Sequence, residues 1–297
     1  MRDFEVKLAQ IACQVNRVLD AFLTLACSPA RRMVEAMRYA SLDKGKRLRP
    51  FLLVESARLL GGDDERALRV GAALECVHCY SLVHDDLPAM DDDDLRRGRP
   101  ATHIAFDEAT AILAGDALLT LAFEMLADPA THAEATVRAQ LVLELAHVAG
   151  KNGMIGGQML DLTIANRSGE TSLDDIAAMQ SLKTGALFRY AARAGAMLAR
   201  ASDTEIKALA LYGDRIGLAF QIADDLLDVE STAETTGKRT GKDSHAGKAT
   251  FVGVLGVEQA RAYARNLILQ ACAALDGFEG DTTGLRELAR FAITRGN

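Results

Sequence analysis

DTEIKALALYGDRIGLAFQIADDLLDV, residues 203–229, carries apolar side chains at i, i+3, i+4 and i+7, the spacing of one helical face. Segments 64–87, 105–127, 133–151 and 173–200 repeat that pattern. Ser172-x-x-Asp175 and Ser202-x-x-Glu205 read as capping boxes opening two of these helices. The five prolines, at 29, 50, 88, 100 and 129, fall at seams or near helix starts, where a missing N–H costs least. Alternating, β-branched strand patterns are nearly absent. No repeat, low-complexity tract or linker divides the chain. The expectation is an all-α fold: a single large helical bundle over 1–297, with long helices around a deep central cavity.

Composition agrees. The chain is 49% hydrophobic and 25% charged, with 5% aromatics and no Trp, a balance that favours helix over sheet. The net charge of -7 makes nucleic acid a poor partner. Five scattered cysteines (Cys13, Cys27, Cys76, Cys79, Cys272) argue for reduced thiols and a cytoplasmic setting. Cys76-Val-His-Cys79 has no second ligand pair and reads as core rather than zinc or redox chemistry. The N-terminus lacks a signal-peptide core, and no uncharged apolar run reaches the ~18–20 residues of a membrane span. A greasy ligand must then be hidden inside the protein.

Two aspartate clusters carry the chemistry. The first is Asp85-Asp86-Leu-Pro-Ala-Met-Asp91, followed by Asp92, Asp93 and Asp94. The second is Asp224-Asp225-Leu-Leu-Asp228, set among Phe220, Ile222, Leu226 and Leu227. Crowded carboxylates repel one another unless cations sit between them. Hard oxygen donors with basic residues nearby suit Mg²⁺ carrying a phosphorylated substrate. Asp224 and Asp228 share a helical face one turn apart. Asp85 and Asp91, six apart across Pro88, cannot share one. The helix should therefore end near Leu87, and the chain should bend to return Asp91 toward Asp85. A helix C-terminus there favours a cation as well.

The basic residues are clustered too. Gly45-Lys46-Arg47-Leu48-Arg49-Pro50 packs three cations into four positions, and Arg96-Arg97 follows the first acids. Arginine forks match phosphate oxygens. His78 lies seven residues before Asp85, nearly on the same face. Lys183-Thr184-Gly185 lies within helical pattern. Two stretches resist a helical reading: 88–102, polar and bounded by prolines, and 231–249, which holds Lys238, Arg239, Lys242 and Lys248 and reads as a functional lid. Two acidic sites and several basic clusters point to two anionic substrates, one held through metal and one held directly.

These residues resemble the trans-isoprenyl diphosphate synthases, most closely the bacterial-type farnesyl diphosphate synthases. The landmarks run in family order from about residue 40 onward: GKRLRP (45–50), LVHDDLPAMDDDDLRRG (82–98), AGDAL (114–118), GGQMLDL (156–162), KTGAL (183–187), FQIADDLLD (220–228) and GKRTGKD (237–243). Asp43-Lys44, before the first, depart from the small or apolar residues expected there. The resemblance implies an isoprenoid-synthase bundle and a homodimer. It also implies two or three Mg²⁺ ions that help an allylic diphosphate ionise, and attack by isopentenyl diphosphate on the allylic cation.

By that resemblance Asp85, Asp91 and Asp224 match metal ligands. Lys46, Arg49, His78 and Arg97 match the isopentenyl diphosphate site. Arg96, Lys183 and Lys238 match positions that hold the allylic diphosphate. Lys183, Thr184 and Gln221 match positions whose oxygen dipoles face the cation. Tyr80, five residues before Asp85 and roughly 7–8 Å along the axis, matches a floor that stops growth at C15. A geranylgeranyl diphosphate synthase would share the chemistry and release a longer product. A catalytically silent partner subunit would keep the fold, but every expected acid and base is intact. A terpene cyclase would usually replace the second aspartate cluster and would not need GKRLRP, and a metal buffer would not need the basic groups.

Overall fold

A computed structural model describes residues 2–25, 30–42, 45–166, 171–230 and 250–294. The chain forms two compact units, Met1–Val54 with Asp63–Val142, and Glu55–Gly62 with Leu143–Asn297. Its helices in order are α1 (Arg2–Phe22), α2 (Arg31–Ser41), α3 (Leu48–Leu59), α4 (Asp64–Asp85), α5 (Thr102–Ala105), α6 (Glu108–Ala127), α7 (Ala135–Ala149) and α8 (Met154–Ala165). After these come α9 (Leu173–Gln180), a π-helical turn (Ser181–Gly185), α10 (Ala186–Leu198), α11 (Asp203–Glu230), α12 (Phe251–Leu255), α13 (Val257–Ala273) and α14 (Thr283–Thr294). Among the described residues the only strands are β1 (Leu95–Arg96) and β2 (Arg99–Pro100). The segment 231–249, Lys238 within it, and the Asp43-Lys44 pair lie outside the described residues.

In the first unit α4 packs against α6, α1 and α2. The helix starts with the Asp63 side chain accepting from the Arg66 amide at 2.9 Å, an N-cap worth about 1 kcal/mol. Its body is lined with small and branched residues (Ala72, Ala73, Leu74, Val77), all fully buried. Phe4 of α1 meets Phe51 edge to face, with ring centroids 5.2 Å apart. Cys76 and Cys79 are buried in this core, and burial is the first cause that pushes both thiols upward, Cys79 to about 12. The core reading of Cys76-Val-His-Cys79 therefore holds.

Helix α6 is long and apolar enough, by length and composition alone, to cross a membrane. Half of it is buried within the protein, and Asp116 sits midway along it. Ala111, Leu118, Ala122 and Met125 supply the packed face.

In the second unit α11 packs against α10, α13, α14 and the π turn. Tyr190, Tyr212, Phe188 and Ile216 are fully buried, and the Tyr212 hydroxyl donates to the Leu285 carbonyl. Both expected capping boxes are present. Asp175 N donates to Ser172 Oγ at 3.1 Å, and Ser202 N donates to Glu205 Oε2 at 2.7 Å. The segment expected as one helix over 173–200 is interrupted by the π turn, which adds one residue between α9 and α10.

Candidate active site

Helix α4 stops at Asp85, two residues before the expected end. The arriving Pro88 cannot continue the ladder. The chain then folds back tightly: the amide of Asp91 donates to the Asp85 carbonyl at 2.8 Å, and that of Asp93 to the Asp86 carbonyl at 3.2 Å. This is the bend expected from the six-residue spacing. It leaves Asp85 and Asp91 half-buried at the carbonyl end of a long helix. Asp86 differs from its neighbour. It is 2% exposed, and the Nε of Arg96 lies 3.0 and 3.1 Å from its two oxygens. Arg96, matched to the allylic diphosphate, is thus a fork already engaged with one carboxylate.

Stretch 88–102 closes with a two-residue hairpin. Leu95 pairs with Pro100 and Arg96 with Arg99 across Arg97-Gly98, both at positive φ (52° and 75°). The turn presents Arg97 to the GKRLRP segment. A Cβ added to Gly45 would lie 2.7 Å from Arg97 Nη1, so the two segments meet at van der Waals distance. His78, half-buried on α4, is held well below its ordinary pKa by burial first, then by the guanidiniums of Arg49, Arg97, Arg47 and Arg96. Arg49 and Arg97 are thus near enough to His78 to act on it electrostatically. The imidazole among them is neutral near pH 7, a hydrogen-bonding group rather than another cation. Lys46, at the same bend, is exposed.

In the second unit the π turn positions Lys183 and Thr184. Lys183 Nζ donates to Asp161 Oδ2 of α8 at 2.6 Å. Thr184 Oγ1 donates to Gln221 Oε1 at 3.1 Å, and Gln221 Nε2 donates to Asp225 Oδ1 at 3.1 Å. Such a chain of hydrogen bonds polarises along its length and fixes the Thr184 oxygen in orientation. Asp225 also accepts from the Phe251 amide at 2.9 Å and is 4% exposed. Asp224 and Asp228, one turn apart, are half-buried. Of the adjacent pair, then, Asp225 is buried and anchors the Phe251 amide, and Asp224 is the more exposed.

The close approach of α8 to the π turn depends on Gly157. A Cβ there would lie 2.2 Å from the Lys183 amide nitrogen and 2.6 Å from its Cα, backbone atoms that cannot swing aside. Asp161 lies one turn further along α8. Gly157→Ala should therefore cost at least about 1–3 kcal/mol and loosen the Lys183–Asp161 pair. A melting temperature equal to wild type would contradict this packing.

Four carboxylates were given no role of their own from the sequence, although each holds a basic or amide partner: Asp86, Asp161, Asp225 and Glu75. Asp161 lies inside GGQMLDL and could have been noticed as an acid among apolar neighbours. Asp86 and Asp225 stood in the two clusters but nothing local told them from their neighbours, and Glu75 had no local signal.

The donors present fit a hard divalent ion. All are carboxylate oxygens, in pairs on the Asp85–Asp91 bend and on α11, and Mg²⁺ is commonly held by one or two carboxylates plus substrate phosphates. Among the described residues no group of three or more His, Cys, Asp or Glu side chains cages an ion unaided.

Comparison with known proteins agrees. The polyprenyl synthetase family profile matches residues 30–281. The chain is 44% identical to a farnesyl diphosphate synthase of Escherichia coli (strain K12), over 99% of both proteins. It is 41% identical to a geranylgeranyl diphosphate synthase of Cyanophora paradoxa, over 89% of this chain and 87% of that one. The structure of an FPP/GFPP synthase from Zymomonas mobilis superposes with a TM-score of 0.89 at 45% identity, covering 98% of this chain and 99% of that one. The fold is thus the all-α isoprenoid synthase fold. The chain belongs to the polyprenyl synthetase family and is a trans-prenyltransferase.

Proposed function

We propose that this enzyme condenses isopentenyl diphosphate with dimethylallyl diphosphate and then geranyl diphosphate, in the presence of Mg²⁺, to give (E,E)-farnesyl diphosphate. The observation that carries the reading is the packing of Arg97 against Gly45 of GKRLRP, with His78 close by, beside a bend that folds Asp91 back onto Asp85. That arrangement supports a cradle for one diphosphate next to oxygen donors for a metal-bound second one. Asp85, Asp91 and Asp224 would hold Mg²⁺, which when bound neutralises pyrophosphate as it leaves.

The protein's own groups do the rest. Lys46, Arg49, His78 and Arg97 bind the isopentenyl diphosphate, and Arg96, Lys183 and Lys238 hold the allylic one. The allylic C–O bond breaks with its electron pair going to pyrophosphate. The isopentenyl double bond attacks the allylic cation, and a proton from the new adduct passes to pyrophosphate. The oriented oxygens of Thr184 and Gln221, with the Lys183 backbone, stabilise the cation. The whole chain, 1–297, would act as one domain in a homodimer, a state supported by the resemblance alone. Its scattered cysteines support a cytoplasmic setting.

Two observations bear on chain length. Farnesyl diphosphate synthases are among the most similar relatives, and a buried aromatic, Tyr80, precedes the first aspartates. The geranylgeranyl relative and the FPP/GFPP synthase structure keep a longer product as the second reading. Incubation with labelled isopentenyl diphosphate and dimethylallyl diphosphate should give a C15 product with Mg²⁺ and none with EDTA. Absence of any Mg²⁺-dependent condensation would favour a silent subunit, and a C20 product would favour the second reading.

A further inference from the structure

The middle cation of GKRLRP behaves unlike its neighbours. Lys46 is exposed and Arg49 is half-buried, but Arg47 points into the first unit with its side chain 0% exposed. Its Nη1 lies 2.6 Å from Glu75 Oε1, on a carboxylate 3% exposed. Its Nε and Nη2 reach Asn16 Oδ1 at 3.0 and 2.8 Å, and Nη2 also donates to the carbonyl of Ser41. Three helices are tied through one guanidinium: α1 by Asn16, the end of α2 by Ser41, and α4 by Glu75.

The backbone of Arg47 explains what this anchor does. Its φ is +52°, in the left-handed region, which costs a non-glycine residue roughly 1–2 kcal/mol. Such a conformation persists only where the surroundings over-determine it. Here the buried guanidinium supplies that determination. A reversal of backbone hand at residue 47 sets the direction in which the chain leaves Lys46 and enters α3 with Arg49. Gly45 completes the arrangement. A Cβ on it would lie 2.9 Å from Arg47 Nη1 as well as 2.7 Å from Arg97 Nη1, so the anchor and Arg97 both crowd the space where a side chain at Gly45 would begin. Glu75 also precedes His78 by three residues on α4, nearly one turn. The helix that anchors the bend therefore carries one of the groups the bend must meet.

We propose that Glu75 and Asn16 are positioning residues for the diphosphate of isopentenyl diphosphate. Acting through Arg47, they hold the left-handed bend that sets Lys46 and Arg49 against His78 and Arg97. The inference rests on the reading that these four residues bind isopentenyl diphosphate, and it adds the buried device that brings them into register.

Steady-state kinetics of Glu75→Gln and Asn16→Ala test it, with each substrate varied at saturating levels of the other. In Glu75→Gln the KM for isopentenyl diphosphate is expected to rise at least tenfold, and the KM for dimethylallyl diphosphate to stay within twofold. Asn16→Ala, which keeps the ion pair, should shift the same KM three- to fivefold, and Glu75→Asp should recover part of the Glu75→Gln loss. Both KM values rising together, or an isopentenyl KM within twofold of wild type, would overturn the proposal. If Glu75→Gln does not fold, Asn16→Ala decides by the same criterion. If the wild type shows no condensation, the functional reading fails separately. The positioning claim is then judged by calorimetric binding of isopentenyl diphosphate in EDTA, where equal affinity for wild type and Asn16→Ala sinks it.

Discussion

Replacing Asp85 or Asp224 with alanine should lower turnover by about a thousandfold or more, several kcal/mol of transition-state stabilisation. Pyrophosphate leaves slowly until its charge is neutralised, and each of these carboxylates would fix an ion in the place where that charge develops. The structural cost should be small. Asp85 is the last residue of α4, and both it and Asp224 are only half-buried. Asp225→Ala is the informative contrast. It strips the Phe251 amide and Gln221 Nε2 of an acceptor, so it should lower the melting temperature, at about 1–3 kcal/mol for the orphaned buried amide. Product formation and thermal unfolding, measured on all three variants, separate the roles. Wild-type turnover in Asp85→Ala or Asp224→Ala would remove the metal assignment.

Tyr80→Ala should release products longer than C15. The ring is 5% exposed and packs edge to face on His84, with centroids 5.7 Å apart. Its hydroxyl is buried and has no hydrogen-bond partner among the described residues. Burial, then the nearby Asp85 carboxylate, pushes that phenol up to about 12. A buried, unbonded hydroxyl adds nothing to stability, so the ring itself is what the position uses. Tyr80→Phe should accordingly keep the C15 limit, whereas Tyr80→Ala should remove the obstruction. Chromatography of the dephosphorylated alcohols reads both. An unchanged C15 product from Tyr80→Ala would falsify the assignment of Tyr80 as the floor. A shift in Tyr80→Phe would mean that the hydroxyl takes part.

Much of this architecture was legible in the sequence. The 3.6-residue periodicity of 203–229 and the two serine capping boxes are local signals, and each appears where it was read. The fold-back of Asp91 onto Asp85 was legible because six residues with a proline leave the chain few options. The hairpin at 95–100 was not, since strands of two residues carry no alternation and their turn places an arginine at positive φ. The π turn was hidden because Ser181–Gly185 fits a helical pattern whether the ladder closes over four residues or five. The anchoring role of Asp225 was hidden for another reason. It is decided by a backbone amide 26 residues away, at Phe251. Arg47 is the same case, a surface cation by composition and a core group by partnership.

The π turn carries a consequence for how this chemistry could be lost. Each residue advances a helix by about 100°. Deleting a single residue from Ser181–Gly185 would let the ladder relax to its ordinary register and join α9 to α10 as one rod. The capping box and hydrophobic face would survive in that rod. Lys183 and Thr184 would be swung about a quarter-turn from Asp161 and Gln221. A one-codon loss at this spot would leave a prenyltransferase scaffold in which Lys183 no longer meets Asp161 and Thr184 no longer meets Gln221.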